Sequence, residues 1–188
     1  DDPAARREFV VADAGIDRVL DRLPDGGVLD AIDPETVRLP HVGPGDRAYV
    51  LYTSGSTGAP KGVPISHEGL ADYLRFALAA YVGDRPPVVP LHSPLVFDLT
   101  ITSLLLPMLA DGLLVVVDGE PVDALGRIAA DDRITFLKAT PSQLELFVRL
   151  ADAPRPLDTV VVGGEAFRRP VAERLAATCR PGVRIFNE

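Results

Sequence analysis

Apolar residues in this chain come in two kinds of stretch, and the two kinds alternate. Short, bounded runs read as buried strands over Ala48–Tyr52, Val88–Leu91, Leu113–Val117, Ile134–Lys138, Leu157–Val162 and Val183–Phe186. Between them, apolar positions recur at helical spacing from Ser66 to about Tyr81 and over Leu99–Leu109, Pro121–Asp131, Pro141–Leu150 and Pro170–Thr178. Ser66 suits the N-cap of its helix, and Pro141 suits a first turn followed by Leu144, Phe147 and Val148 on one face. Upstream, Glu8–Ala14 reads as helical, Arg18–Leu20 as the start of a short strand and Leu23–His41 as a turn-rich connector. Strands alternating with helices imply right-handed βαβ units, hence an α/β fold with a mostly parallel sheet flanked by helices. Ligands of such sheets bind beyond the carboxyl ends of the strands. The polar residues of interest fall there: the loop after Tyr52, then Asp98, Lys138, Gly163-Gly-Glu165 and Asn187-Glu188.

Composition narrows the classes of partner. The 188 residues can bury one substantial core, and 47% hydrophobic with 24% charged is a globular mix. A net charge of −8 without a Lys/Arg cluster disfavours a nucleic-acid surface. The single cysteine, Cys179, allows no internal disulfide framework, suits a reducing cytoplasm and reads as a small packing residue. The opening DDPAARREFV carries charges where a signal peptide needs an apolar core. The apolar window from Leu99 to Val117 contains Pro107 and is broken at Asp111-Gly112, short of the roughly 20 residues of a membrane span. His41, His67 and His92 form no metal site or triad, although His92 is a mild candidate for lining a site. A cytoplasmic protein without membrane or nucleic-acid partner is expected.

The segment Thr53-Ser-Gly-Ser-Thr-Gly-Ala-Pro-Lys-Gly62 concentrates hydroxyls, glycines and one lysine after a strand. Glycines let a backbone approach a ligand closely, hydroxyls and amides donate hydrogen bonds, and the lysine adds a mobile charge. These are the parts of a polyphosphate cradle, yet no Gly-Lys-Ser/Thr triplet at Walker A spacing is present. Asp98 amid Leu95, Val96, Phe97, Leu99 and Ile101 reads equally as a helix N-cap or as a carboxylate for a ligand. Lys138 ends an otherwise apolar strand; it either snorkels from an exposed end or faces a pocket and needs an acceptor, which Glu188 could provide. Gly163-Gly-Glu165 reads equally as a plain strand-to-helix turn.

The string YTSGSTGAPKGV resembles the phosphate-binding signature of the adenylate-forming (AMP-binding) superfamily, and Phe97-Asp98 resembles the adenylation domains of nonribosomal peptide synthetases. The resemblance covers nearly all of the chain. It implies a flavodoxin-like or Rossmann-like subdomain of the adenylation core, with ATP and Mg²⁺ as cofactors and the Mg²⁺ carboxylate outside this chain. It implies ATP and phosphate binding by Thr53, Ser54, Gly55, Ser56, Thr57, Gly58 and Lys61, with Thr53 and Lys61 acting in catalysis, and nucleotide contacts from Gly164 and Asn187 near the adenine. Asp98 would pair with the α-ammonium of an amino acid. The reaction implied is attack of an amino acid carboxylate on the α-phosphorus of ATP, then transfer of the acyl group to a phosphopantetheinyl carrier-protein thiol.

Asp98, Leu99, Thr102, Lys138, Val161, Gly163 and Glu188 form the substrate-binding series D-L-T-K-V-G-E, which resembles the pattern of asparagine-activating domains, with aspartate as the alternative. On this reading Lys138 donates to the side-chain carbonyl, Glu188 accepts from the NH₂, and an aspartate would set its charge against Glu188. No metal ligand is assigned within the chain. The expected organisation is one α/β subdomain over residues 1–188, with 1–47 a connector from a preceding subdomain and 48–188 the core. The hinge, the ribose-binding aspartate and the small C-terminal domain of the family find no counterpart, so an isolated 188-residue chain is expected to be a fragment with little or no adenylation. A CoA ligase of the same superfamily and a catalytically silent ligand-binding fragment are the alternatives.

Overall fold

The computed structural model describes residues 4–17, 19, 37–38, 40–54 and 60–188. They fall into two compact units, Asp1–Leu70 and Ala71–Glu188. The expected strand at Arg18–Leu20 and the connector Leu23–His41 lie wholly or largely outside the described residues.

In the first unit, helix α1 spans Ala4–Asp13, and strands β1 (Arg47–Ser54) and β2 (Pro60–Ser66) pair antiparallel. This corrects the reading of Thr53–Gly62 as one loop. Thr53 and Ser54 end β1, Pro60 to Gly62 begin β2, and Thr53 stands opposite Lys61. Strand β2 was not foreseen because Pro60, Gly62 and Pro64 are all poor strand formers. They occupy every second position, so the missing proline N–H groups fall on one edge, which a two-stranded ribbon tolerates. Gly62 also has a packing reason. It faces Tyr52 across the ribbon, and a Cβ there would lie 3.0 Å from Tyr52 Cζ. The Tyr52 hydroxyl donates to Asp13 Oδ2 at 2.7 Å, and its ring packs edge-on against Phe9.

The second unit carries the parallel strands. Helix α2 (His67–Tyr81) is capped by Ser66, whose Oγ accepts from Gly69 N at 3.1 Å. Strand β3 (Val88–Leu91) pairs parallel with β4 (Leu113–Val116), and β5 (Phe136–Ala139), β6 (Thr159–Val162) and β7 (Arg184–Asn187) form a second parallel sheet with β6 central. Helices α3 (Leu99–Leu109), α4 (Pro121–Ala130), α5 (Pro141–Leu150) and α6 (Arg169–Thr178) connect them. All fall within one or two residues of the expected spans. The two sheets meet where Val88 N donates to Thr135 Oγ1 (2.9 Å) and Thr135 N donates to Val88 O (3.1 Å). The lateral order is therefore β4-β3-β5-β6-β7. After β3 the chain steps to one side and then returns to the other, which is the flavodoxin-like order, with its switch point between β3 and β5.

Both faces of this layer are covered. Leu137, Val160 and Val162 pack with Leu125, Ile128, Leu144, Phe147 and Leu175 of α4, α5 and α6. The alternate residues Phe136 and Val161 pack with Ala77, Tyr81, Val89 and Leu106. Double coverage explains why the strands read as continuous apolar runs. It also fixes the face of Lys138: two residues after Phe136, it must point to the α2 and α3 side. Cys179 is buried in the first cluster, as expected of a packing residue, and burial pushes its thiol up to about 11.

Candidate functional site

Strands β5, β6 and β7 bring Lys138, Gly163 and Glu188 to their carboxyl ends. Thr102 comes from the first turns of α3. The Lys138 side chain is 4% exposed, which excludes the snorkelling alternative. Its Nζ donates to Glu188 Oε2 at 2.5 Å, to Thr102 Oγ1 at 2.8 Å and to the Tyr73 hydroxyl at 3.1 Å. Glu188 is thus the acceptor that the sequence reading required. Its backbone N–H donates to Val162 O at 2.8 Å, which holds it in line with β6.

Two residues not foreseen complete the cluster. Tyr73 and Tyr81 lie eight residues apart on α2, two helical turns, and so share a face with the buried Ala77. The Tyr81 hydroxyl donates to Glu188 Oε1 at 2.5 Å and the Tyr73 hydroxyl to the same oxygen at 3.1 Å, while Tyr73 and Thr102 hydroxyls stand 2.6 Å apart. A tyrosine at each end of an apolar helical face was the available signal, since a buried phenol needs a partner. The Lys138 ammonium is 5.6 Å from the Tyr73 ring centroid but bonds the hydroxyl on the ring's rim, so the contact is with the oxygen rather than the π face.

These six contacts are served by six protons: three on Lys138 and one each on Thr102, Tyr73 and Tyr81. If Tyr73 donates to Glu188, Thr102 must donate to Tyr73, and every proton is then placed. Burial alone would push the Glu188 carboxyl up, but hydrogen bonds from Lys138, Tyr81 and Tyr73 and the Lys138 charge together hold it below the usual carboxylate range. Burial first, then the bond to Glu188 and the Glu188 charge, push Tyr81 upward, so it remains a donor.

Other residues support this arrangement. Arg184 caps the end of α2 by donating to Ala80 O at 2.9 Å and Tyr81 O at 2.6 Å, and it also reaches Thr159 Oγ1 at 2.8 Å. The Tyr81 ring packs on Phe186, with centroids 4.9 Å apart. His92, just past β3, sits at the switch point with Nε2 3.3 Å from Lys138 O. Its burial lowers its pKa against the opposite pull of that carbonyl, so the ring is neutral at pH 7.

The remaining expected residues are placed unevenly. A Cβ on Gly163 would lie 3.8 Å from both Glu188 Cβ and Leu99 Cδ1, so Leu99, Gly163 and Glu188 stand around one space. Gly164 has φ +83, a conformation that favours glycine, and lies beside Leu99 and Thr140. Val161 is fully enclosed between its partners Lys138 and Phe186, so it supports the site from beneath and presents no surface to a ligand. Asp98 takes the capping role: its Oδ1 accepts from Leu99 N at 2.7 Å, and the side chain remains exposed. Asn187 ends β7 next to Glu188. Glu165 is held at the start of α5, where Ser142 Oγ donates to it at 2.5 Å and Ser142 N at 3.2 Å; the Ser142 hydroxyl chiefly lowers its pKa.

In the other unit Thr53 and Lys61 are exposed cross-strand partners at the hairpin end, and Lys61 makes no ion pair among the described residues. Gly55, Ser56, Thr57 and Gly58 lie outside the described residues. Among the described residues no three His, Cys, Asp or Glu come together to hold a metal, and no helix is long and apolar enough to cross a membrane.

Polar side chains gathered beyond the carboxyl ends of a flavodoxin-like layer stand where α/β domains of this class bind small molecules. The chain belongs to the AMP-binding enzymes, whose family pattern matches residues 3–187. It is 36% identical over 150 residues to tyrocidine synthase 3 of Brevibacillus parabrevis, covering 79% of this chain and 2% of that protein. It is 34% identical over 145 residues to bacitracin synthase 3 of Bacillus licheniformis, covering 75% and 2%. Among solved structures, the nonribosomal peptide synthetase FmoA3 in its AMPPNP-bound form matches with a TM-score of 0.79 at 27% identity over 99% of this chain and 22% of that one. The N-terminal subdomain of Klebsiella oxytoca NpsA shares the fold, with a TM-score of 0.79 and 24% identity over 100% of this chain and 50% of that one. The chain therefore spans only a few per cent of the length of these two synthases.

Proposed function

We propose that the protein carrying this chain activates L-asparagine as its adenylate and passes it to a carrier-protein thiol. The observation that carries the reading is the unfilled capacity of the buried cluster. All six of its protons are engaged, whereas a carboxylate has about four acceptor sites and Glu188 uses three. A side-chain NH₂ can donate to that remaining site. An aspartate carboxylate finds no spare donor and meets a like charge. This revises the reading in which Lys138 donates to the substrate carbonyl, because its three donors already have acceptors; that bond requires one of them to be exchanged. Leu99 and Gly163 bound the space, and the exposed Asp98 carboxylate, with Oδ2 unused by its cap, suits the α-ammonium.

The hairpin supports the nucleotide half of the reading. An exposed lysine opposite an exposed threonine, in a sequence stretch rich in glycine and hydroxyl residues, is a donor set that fits a polyphosphate, and Mg²⁺ would be brought with it. ATP supplies an electrophilic α-phosphorus: the substrate carboxylate forms the new O–P bond, the bond to the β-phosphate breaks, and pyrophosphate leaves. Lys61 and Thr53 would bind and orient the departing phosphates. Amino-acid-dependent ATP–pyrophosphate exchange by the full-length protein tests the proposal. Asparagine is expected among the best substrates, with aspartate at least tenfold poorer, on the order of one lost charged hydrogen bond. Exchange driven by other amino acids but not by asparagine refutes it.

A further inference from the structure

Nothing in the series of expected pocket residues explains why the cluster has no spare donor, because Lys138 alone has three. The answer lies on helix α2. Thr102 and Glu188 take two Lys138 protons, and the Tyr73 oxygen takes the third at 3.1 Å. With the Tyr73 proton on Glu188 Oε1, the same Tyr73 oxygen is left to accept from Thr102. One phenol therefore removes the last free donor from the cluster and occupies one acceptor site of the carboxylate. Tyr81 acts differently. Its hydroxyl bonds neither Lys138 nor Thr102 and holds Glu188 Oε1, at 2.5 Å, while Arg184 and Phe186 fix its own backbone and ring.

We propose that Tyr73 and Tyr81 are specificity-determining positioning residues: Tyr73 excludes acidic side chains by occupying the third Lys138 donor, and Tyr81 orients Glu188 toward a side-chain amide. The proposal rests on the asparagine reading for its substrate, and on the hydrogen-bond geometry alone for its mechanism. The two roles predict different signatures. Replacing Tyr73 by Phe frees one ammonium N–H in a buried site, and that donor suits a carboxylate. Replacing Tyr81 by Phe leaves all three Lys138 bonds intact and lets Glu188 turn toward solvent.

The test uses the full-length protein and its Y73F and Y81F variants, assayed by pyrophosphate exchange with asparagine and aspartate and by thermal melting. For Y73F the ratio of kcat/KM for asparagine over aspartate is expected to fall about tenfold, chiefly through a lower aspartate KM, as one charged hydrogen bond becomes available. For Y81F the asparagine KM is expected to rise several-fold with no gain for aspartate. Both variants should fold, since each removes one oxygen and keeps the ring. Variants that weaken both substrates equally, in step with a lowered melting temperature, would reduce the tyrosines to structural roles and overturn the proposal. A ligand-free measurement separates this failure from that of the substrate reading. In ¹⁵N NMR the Lys138 ammonium protons of Y73F should exchange with solvent about tenfold faster than in wild type, and those of Y81F should not. Unchanged exchange in Y73F overturns the Tyr73 role whatever the substrate; wild-type protein indifferent to asparagine, with the exchange difference present, sinks only the choice of amino acid.

Discussion

The Lys138–Glu188 pair predicts an asymmetry between its two halves. Glu188→Gln leaves an ammonium whose side chain is 4% exposed without a counter-charge, while Lys138→Met leaves a carboxylate that is already 29% exposed. Removing one partner of a buried pair costs about 3–5 kcal/mol when the other has no escape. Lys138 on β5 cannot reach water, although Thr102, Tyr73 and the new amide oxygen still accept from it, so about 2–3 kcal/mol is expected for Glu188→Gln. Glu188 can rotate outward and rehydrate, and a methionine fills the lysine's place, so Lys138→Met is expected to cost about 1 kcal/mol or less. The sign with pH follows from the depressed Glu188 pKa. Its contribution is complete above the unfolded carboxylate value of about 4.3 and disappears as pH falls through the lower folded value. Urea denaturation at pH 7 and again near pH 3 reads both effects. The gap between wild type and Glu188→Gln should be present at pH 7 and narrow in acid. Lys138→Met more damaging than Glu188→Gln at pH 7, or a gap that widens in acid, would refute the assignment of Lys138 as the trapped charge.

Arg184→Gln removes the guanidinium from the Ala80 and Tyr81 carbonyls and should cost about 2 kcal/mol in urea denaturation, with Arg184→Lys recovering only part because an ammonium cannot span both acceptors. Gly112→Ala would place a Cβ 2.3 Å from the Pro87 carbonyl oxygen, a backbone clash that no rotamer relieves, so a loss of about 2–3 kcal/mol is expected and a neutral result would contradict the α3–β4 turn. Cys179, with its thiol pushed up to about 11 and packed in the core, should resist iodoacetamide at pH 8 in the native state and react promptly once denaturant is added; fast native labelling would place it elsewhere.

The α/β alternation, the strand and helix spans and the Lys138–Glu188 pairing were legible in the sequence because each rests on local signals: run length, helical period, capping residues, and one charge that needs another. The hairpin was not. Pro60, Gly62 and Pro64 read as a break in any window, and only the opposing strand, with Tyr52 laid over Gly62, makes them a strand. Asp98 shows the limit of a local signal in the other direction: its position amid apolar residues suits a cap or a ligand equally, and the structure supplies the cap contact.

The sequence by itself determined the fold class, the family and the list of polar residues near the strand ends, since periodicity and motif spacing are properties of neighbours along the chain. Which of those residues touch, and which of their protons remain available, was decided only by tertiary structure. Tyr73 and Tyr81 lie more than 100 residues from Glu188 in sequence and reach it because α2 packs over the face of β5 that Lys138 shares with Phe136. Hydrogen-bond capacity is a property of a closed set of contacts, and that set exists only when the sheet and helix meet.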